Sequence, residues 1–140
     1  MQQDNREPTF RKVLIVDDTH MDRYVAERTI RKYHFAEEVV TKESARIALN
    51  YLKELTATPE FLPDFIFLDI RMPEIDGFGF LTEYSKLPEV VRLKCIIVML
   101  SSSLSPEDHL KAASNAFVNR FLQKPLSQEQ LAEIAGQLGH

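Results

Sequence analysis

The run Phe65-Ile-Phe-Leu-Asp69 constrains this chain more than any other stretch. Its four apolar residues do not alternate with polar ones, so a strand here has no face to give to water. Such strands belong to parallel sheets covered by helices on both sides. The run ends in a lone carboxylate, and the chain then turns on Met72-Pro73 and Asp76-Gly77. In open α/β sheets, ligands bind outside the carboxyl ends of the strands. Asp69 is therefore carried by a buried strand to the place where such folds do chemistry.

The other elements follow the same grammar. Val13–Val16 is a short buried strand ending in Asp17-Asp18, and Thr19 can cap a helix from about His20 to Tyr33. Glu37–Thr41 is a more polar strand, suited to an edge. Ser44 opens a helix whose apolar stripe is Ala45, Ala48, Leu49, Leu52 and Leu55. Thr56–Pro63 reads as a loop. A third helix carries Phe80, Leu81, Tyr84 and Leu87 and stops near Pro88. Cys95–Leu100 is a fourth strand, followed by Ser101-Ser102-Ser103. Ser105-Pro106-Glu107-Asp108 starts a helix reaching about Ser114. Val118–Gln123 is the fifth strand, ending in Lys124-Pro125. Ser127-Gln-Glu-Gln130 is a capping box opening a last helix with Leu131, Ile134, Ala135 and Leu138 on one face.

Five strands alternating with five helices predict a doubly wound parallel sheet. Pattern alone leaves both common strand orders open, and five strands with an apolar first and a polar second fit the flavodoxin-like order 2-1-3-4-5, a (βα)5 fold, best. A length of 140 residues suits one such domain, with residues 1–10 a polar lead-in, 11–138 the domain, and no output domain attached. The net charge of −4 speaks against nucleic-acid binding, and no apolar run is long enough to span a bilayer. Cys95 is the only cysteine, so no intrachain disulfide can form and a reducing, cytoplasmic setting is expected.

In the predicted order, strands one, three, four and five lie side by side, so Asp17, Asp18, Asp69, the serine run and Lys124 meet on one rim. Two carboxylates about 4 Å apart repel by about 1 kcal/mol in water and about 4 kcal/mol near a protein surface. Three acids facing one lysine therefore call for a compensating cation or a raised pKa, and oxygen-only ligands favour a hard ion such as Mg²⁺. Helix capping by Asp17-Asp18 would explain that pair but not its meeting with Asp69 and Lys124. No Gly-rich phosphate loop or nucleophilic triad is present. A carboxylate can itself be a nucleophile and form an aspartyl phosphate, with the lysine and a hydroxyl holding the phosphoryl oxygens.

Four motifs carry a resemblance: Val13-Leu-Ile-Val-Asp17-Asp18, Phe67-Leu-Asp69-Ile-Arg-Met72-Pro73-Glu-Ile-Asp76-Gly77, Met99-Leu100-Ser101 and Phe121-Leu-Gln-Lys124-Pro125. In this order, each at a strand end, they resemble the receiver domain of bacterial two-component response regulators, from about Arg11 to Leu138. The resemblance implies that Asp69 accepts a phosphoryl group from a histidine kinase or phosphotransfer protein. It implies Mg²⁺ (or Mn²⁺) held by Asp18, Asp69 and the backbone carbonyl of Arg71, with Asp17 acting through a bound water. It makes Ser101 the switch hydroxyl, with Ser102 the alternative because its spacing to Lys124 suits the family as well. Lys124 pairs with the phosphate, the Lys124–Pro125 bond is cis, and Phe121 is the switch aromatic.

The resemblance also implies a stand-alone switch rather than an enzyme, catalysing only its own phosphoryl transfer and dephosphorylation. Its output would be a protein docked on the helix beginning at Ser105, the fifth strand and the last helix, at Glu107, Lys111, Arg120 and Phe121. Arg71 would overhang the site. Several features depart from the family's pattern. Asn115-Ala116-Phe117 stands where a small or Gly-containing turn is usual, Phe121 has no hydroxyl, and Thr56–Pro63 is long. Two alternatives remain. A haloacid-dehalogenase-like phosphohydrolase would need a second aspartate where Arg71 stands. A receiver-fold scaffold that is never phosphorylated would not need the full acid set.

Overall fold

The computed structural model describes residues 8–102 and 105–139, so residues 1–7 of the expected lead-in and Ser103 of the serine run lie outside the described residues. Five strands form one sheet in the order β2-β1-β3-β4-β5. They are β1 (Phe10–Val16), β2 (Ala36–Lys42), β3 (Phe65–Asp69), β4 (Ile96–Ser101) and β5 (Val118–Gln123), and every pairing is parallel. The helices are α1 (His20–Lys32), α2 (Ala45–Glu54), α3 (Gly77–Tyr84), α4 (Glu89–Lys94), α5 (Pro106–Ser114) and α6 (Gln128–Leu138).

Strand periodicity divides the core in two. Val13, Ile15, Phe65, Phe67, Val98 and Leu100 point to one face, which is covered by Ala26 and Ile30 of α1 and Leu131 and Ile134 of α6. Leu14, Val16, Ile66, Leu68, Ile97 and Met99 point to the other, under Leu49 and Leu52 of α2, Phe80 and Tyr84 of α3, Val91 of α4 and Ala112 of α5. All five residues of β3 are buried, as a strand apolar throughout requires.

Among the described residues the expected five helices are six. After Pro88 the chain forms α4, a short helix that buries Val91 and ends at Cys95, so β4 starts one residue later than expected. The expected loop Thr56–Pro63 contains a 3₁₀ turn, Pro59–Phe61, and buries Leu62 completely. Lys12 Nζ donates to the Phe61 carbonyl at 2.6 Å, tying that turn to β1. Thr19 occupies the N-cap position of α1 but makes no side-chain cap bond, whereas Ser44, Ser105 and Ser127 all cap through their hydroxyls. Burial pushes the Cys95 thiol up to about 12, which makes it a plain core thiol.

Candidate functional site

Alternation along the strands brings the site to one face. Asp17 continues the phase of Val13 and Ile15, and Asp69 continues that of Phe65 and Phe67. A register shift in the β4–β5 pairing sets Leu122 opposite Leu100 and Gln123 opposite Ser101. Lys124 therefore falls in the phase of Leu122, on the face shared with α1. A cleft there is lined by Asp17, Asp22, Asp69, Ser102 and Lys124, with Val25 and Ala26 of α1 along its apolar wall.

Lys124 stands at the centre. Its ammonium is 2.6 Å from Asp17 Oδ2, 2.9 Å from Asp22 Oδ2 and 3.2 Å from Asp69 Oδ1. Its own amide donates to the Ser101 carbonyl at 2.8 Å, and the Lys124–Pro125 bond is cis. One carboxylate oxygen each from Asp17, Asp18 and Asp69 lies within 4.8 Å of the others. Asp17 and Asp69 are buried and Asp18 is exposed, an all-oxygen set open to solvent on one side. That donor set fits a hard divalent cation that keeps some of its waters.

The electrostatics reflect crowding. Burial, then the Asp17 charge, push the Asp69 carboxyl up to about 6 against the pull of Lys124. Burial works against the Lys124 ammonium too, but hydrogen bonds to Asp17 and Asp22 and the charge of Asp69 hold it above the ordinary lysine value. A cation among the acids would relieve the strain on Asp69.

The loop between β3 and α3 is fixed by close approach. Gly77 N donates to the Ile70 carbonyl at 2.8 Å, and a Cβ at Gly77 would sit 2.5 Å from the Asp69 carbonyl oxygen. Only glycine permits that contact, which fixes the backbone at Ile70, next to Arg71. The Arg71 side chain does not lie free over the site. Its guanidinium pairs with Asp108 in the first turn of α5.

The two serines separate by strand phase. Ser101 continues the phase of Ile97 and Met99, is 1% exposed, and does not line the cleft. Ser102 is exposed and lines it. Alternation from Val98 and Leu100 was the signal that could have chosen between them. Phe121 is half-buried on the other face, its ring 5.4 Å from that of His109 on α5. Asp22 pairs with Lys124 and Asp108 with Arg71, neither of which the strand-end motifs point to. Asp22 had a signal, as it lies one helical turn into α1 from the Asp17-Asp18 pair.

A family model described as the response regulator receiver domain matches residues 13–135. The two-component response regulator ORR8 of Oryza sativa subsp. indica is 31% identical over 81% of this chain and 86% of its own. The histidine kinase CKI1 of Arabidopsis thaliana is 31% identical over 84% of this chain, which spans only 11% of that relative. A crystal structure of a two component response regulator from Cytophaga hutchinsonii superposes with a TM-score of 0.85 at 31% identity, covering 94% of this chain and 97% of that one.

Proposed function

Because this chain belongs to the response regulator receiver domain family, we propose that Asp69 is its phosphoacceptor and that the acids around it hold a divalent cation. The observation that carries the reading is one ammonium, Lys124, bridging Asp17 and Asp69 within a three-carboxylate cluster at the sheet's carboxyl edge.

The transfer breaks the P–N bond of a phosphohistidine in a histidine kinase or phosphotransfer protein and forms an Asp69 Oδ–P bond. The imidazole keeps the electron pair. With its pKa near 6, Asp69 is mostly ionised at neutral pH and needs no base. Asp18, Asp69 and the Arg71 carbonyl, with Asp17 through a bound water, would hold Mg²⁺ or Mn²⁺, which would supply positive charge for the incoming oxygens. Lys124 turns from Asp69 toward the phosphoryl group, and Ser102 offers a hydroxyl from the cleft's rim. The change at the site is passed through β4 to α5 and to Phe121 of β5, whose ring packs on His109 of α5. The output surface is then α5, β5 and α6. On it Arg120 already ties β5 to Glu133 of α6 at 3.6 Å, while Glu107 and Lys111 are exposed on α5.

Incubation with acetyl phosphate and Mg²⁺ tests the reading by mass. One added phosphoryl group is expected, lost with EDTA and lost in Asp69→Asn. Turnover of varied phosphate esters would point instead to a phosphohydrolase, and an unmodified chain to a scaffold.

A further inference from the structure

We propose that Arg71 is a switch residue: buried Asp108 holds its guanidinium in the unmodified protein, and a phosphoryl group on Asp69 competes for it and thereby frees the first turn of α5. The inference rests on Asp69 being the phosphoacceptor.

The pair is asymmetric. The Asp108 side chain is 4% exposed and that of Arg71 is 62% exposed. Arg71 is the only ion-pair partner of Asp108 among the described residues. The Asp108 amide is meanwhile fixed by Ser105 Oγ at 3.0 Å, which keeps the carboxylate turned in under the helix start. If the pair parts, Arg71 enters water at little cost. Asp108 cannot stay buried and unpaired, so it must be exposed, and that requires the first turn of α5 to move.

Arg71 is placed to be drawn away. It lies two residues beyond Asp69, on a backbone pinned by the Gly77–Ile70 contact, so only its side chain has to swing. A phosphoryl dianion accepts two parallel hydrogen bonds from a guanidinium and carries more charge than one carboxylate. The remaining contacts of α5 say what would follow. Lys111 lies 5.1 Å over the Phe78 ring of α3, and His109 packs on Phe121. A shift at Asp108 thus moves a helix whose other face touches the switch aromatic.

The test uses beryllofluoride with Mg²⁺ as the phosphoryl mimic. The chain has no tryptophan, so binding is followed by amide NMR shifts. If Asp108 competes for Arg71, Asp108→Asn tightens beryllofluoride binding about five- to tenfold, and Arg71→Ala weakens it about tenfold. In an Arg71→Ala background, Asp108→Asn then changes nothing. A merely structural Asp108 would not tighten binding. Hydrogen exchange gives a second readout that does not depend on the fold of the Asp108 variant. Amides at the start of α5 exchange about tenfold faster in loaded wild type and in unloaded Arg71→Ala, while Arg71→Lys retains slow exchange. An unchanged or weakened affinity in Asp108→Asn, or an α5 indifferent to Arg71→Ala, overturns the proposal. If wild type binds the mimic but these couplings are absent, only the exchange of partners falls. If wild type binds none, the phosphoacceptor assignment falls with it.

Discussion

Asp64 stands just before β3 and Asp69 ends it, five residues later on the same strand. Asp64 is saturated with donors. It accepts from the Arg11 amide at 2.9 Å and the Lys12 amide at 3.3 Å, and it pairs with Lys94. Burial alone would raise its pKa, yet the Lys94 hydrogen bond, the Arg11 amide and the Lys94 charge bring it below the ordinary value. Asp69 shares its one cation with two other acids, and its pKa rises to about 6. One end of the strand is built to hold a carboxylate, and the other is left short of positive charge. That shortage suits the proposed phosphoacceptor, which would recruit a metal and attack phosphorus.

The largest effect should come from the saturated end. Asp64→Ala leaves two backbone amides and Lys94 without their acceptor, at a cost of about 3 kcal/mol in urea unfolding at pH 7. A loss below about 1 kcal/mol would mean that Asp64 is not the clasp its contacts describe.

Asp69→Asn should act in the opposite direction. A carboxyl whose folded pKa lies above its unfolded 3.8 favours folding least when ionised, so its penalty is absent below pH 3.8 and grows as pH rises to about 6. A displacement of about two pH units corresponds to about 3 kcal/mol. Without divalent cation, Asp69→Asn should therefore exceed wild type by about 2–3 kcal/mol at pH 7.5, and the two should converge near pH 4. Asp64 runs the other way, since its contribution is present at neutral pH and lost as pH falls below 3.8. Millimolar Mg²⁺ should narrow the gap at pH 7.5 by stabilising wild type alone. A gap that is flat with pH would remove the claim that Asp69 is electrostatically strained.

These differences follow how much the sequence could say. β3 was legible because five buried residues leave a signature that nothing else leaves, and its neighbours' apolar runs set the order of the sheet. Helix α4 was not, since six residues with one buried contact, Val91, make no periodic stripe. Asp17, Asp69 and Lys124 could be placed because each ends a strand. Favouring Ser102 over Ser101 as the proposed hydroxyl needs the strand phase carried one residue past β4. The pairing of Arg71 with Asp108, across thirty-seven residues, has no spacing to betray it, because a side chain on a loop and one in the first turn of α5 meet only once the fold has formed.

The smallest effect should come from the backbone beyond Asp69. Glu74 follows Pro73 with φ +68°, and Ile75 N donates to the Pro73 carbonyl at 2.8 Å, a tight three-residue turn. A side chain in that region costs about 1 kcal/mol or more, which glycine avoids, although glycine's freer unfolded chain returns part of the gain. Glu74→Gly should then stabilise the protein by about 0.5–1 kcal/mol, read as a rise in Tm. Its side chain is exposed and absent from the cleft beside Asp69, so phosphoryl uptake from acetyl phosphate should be unaltered. If uptake fell while Tm rose, the strained turn would be part of what holds the Arg71 carbonyl in place. The functional end of the strand would then carry strain in its backbone as well as in its charge.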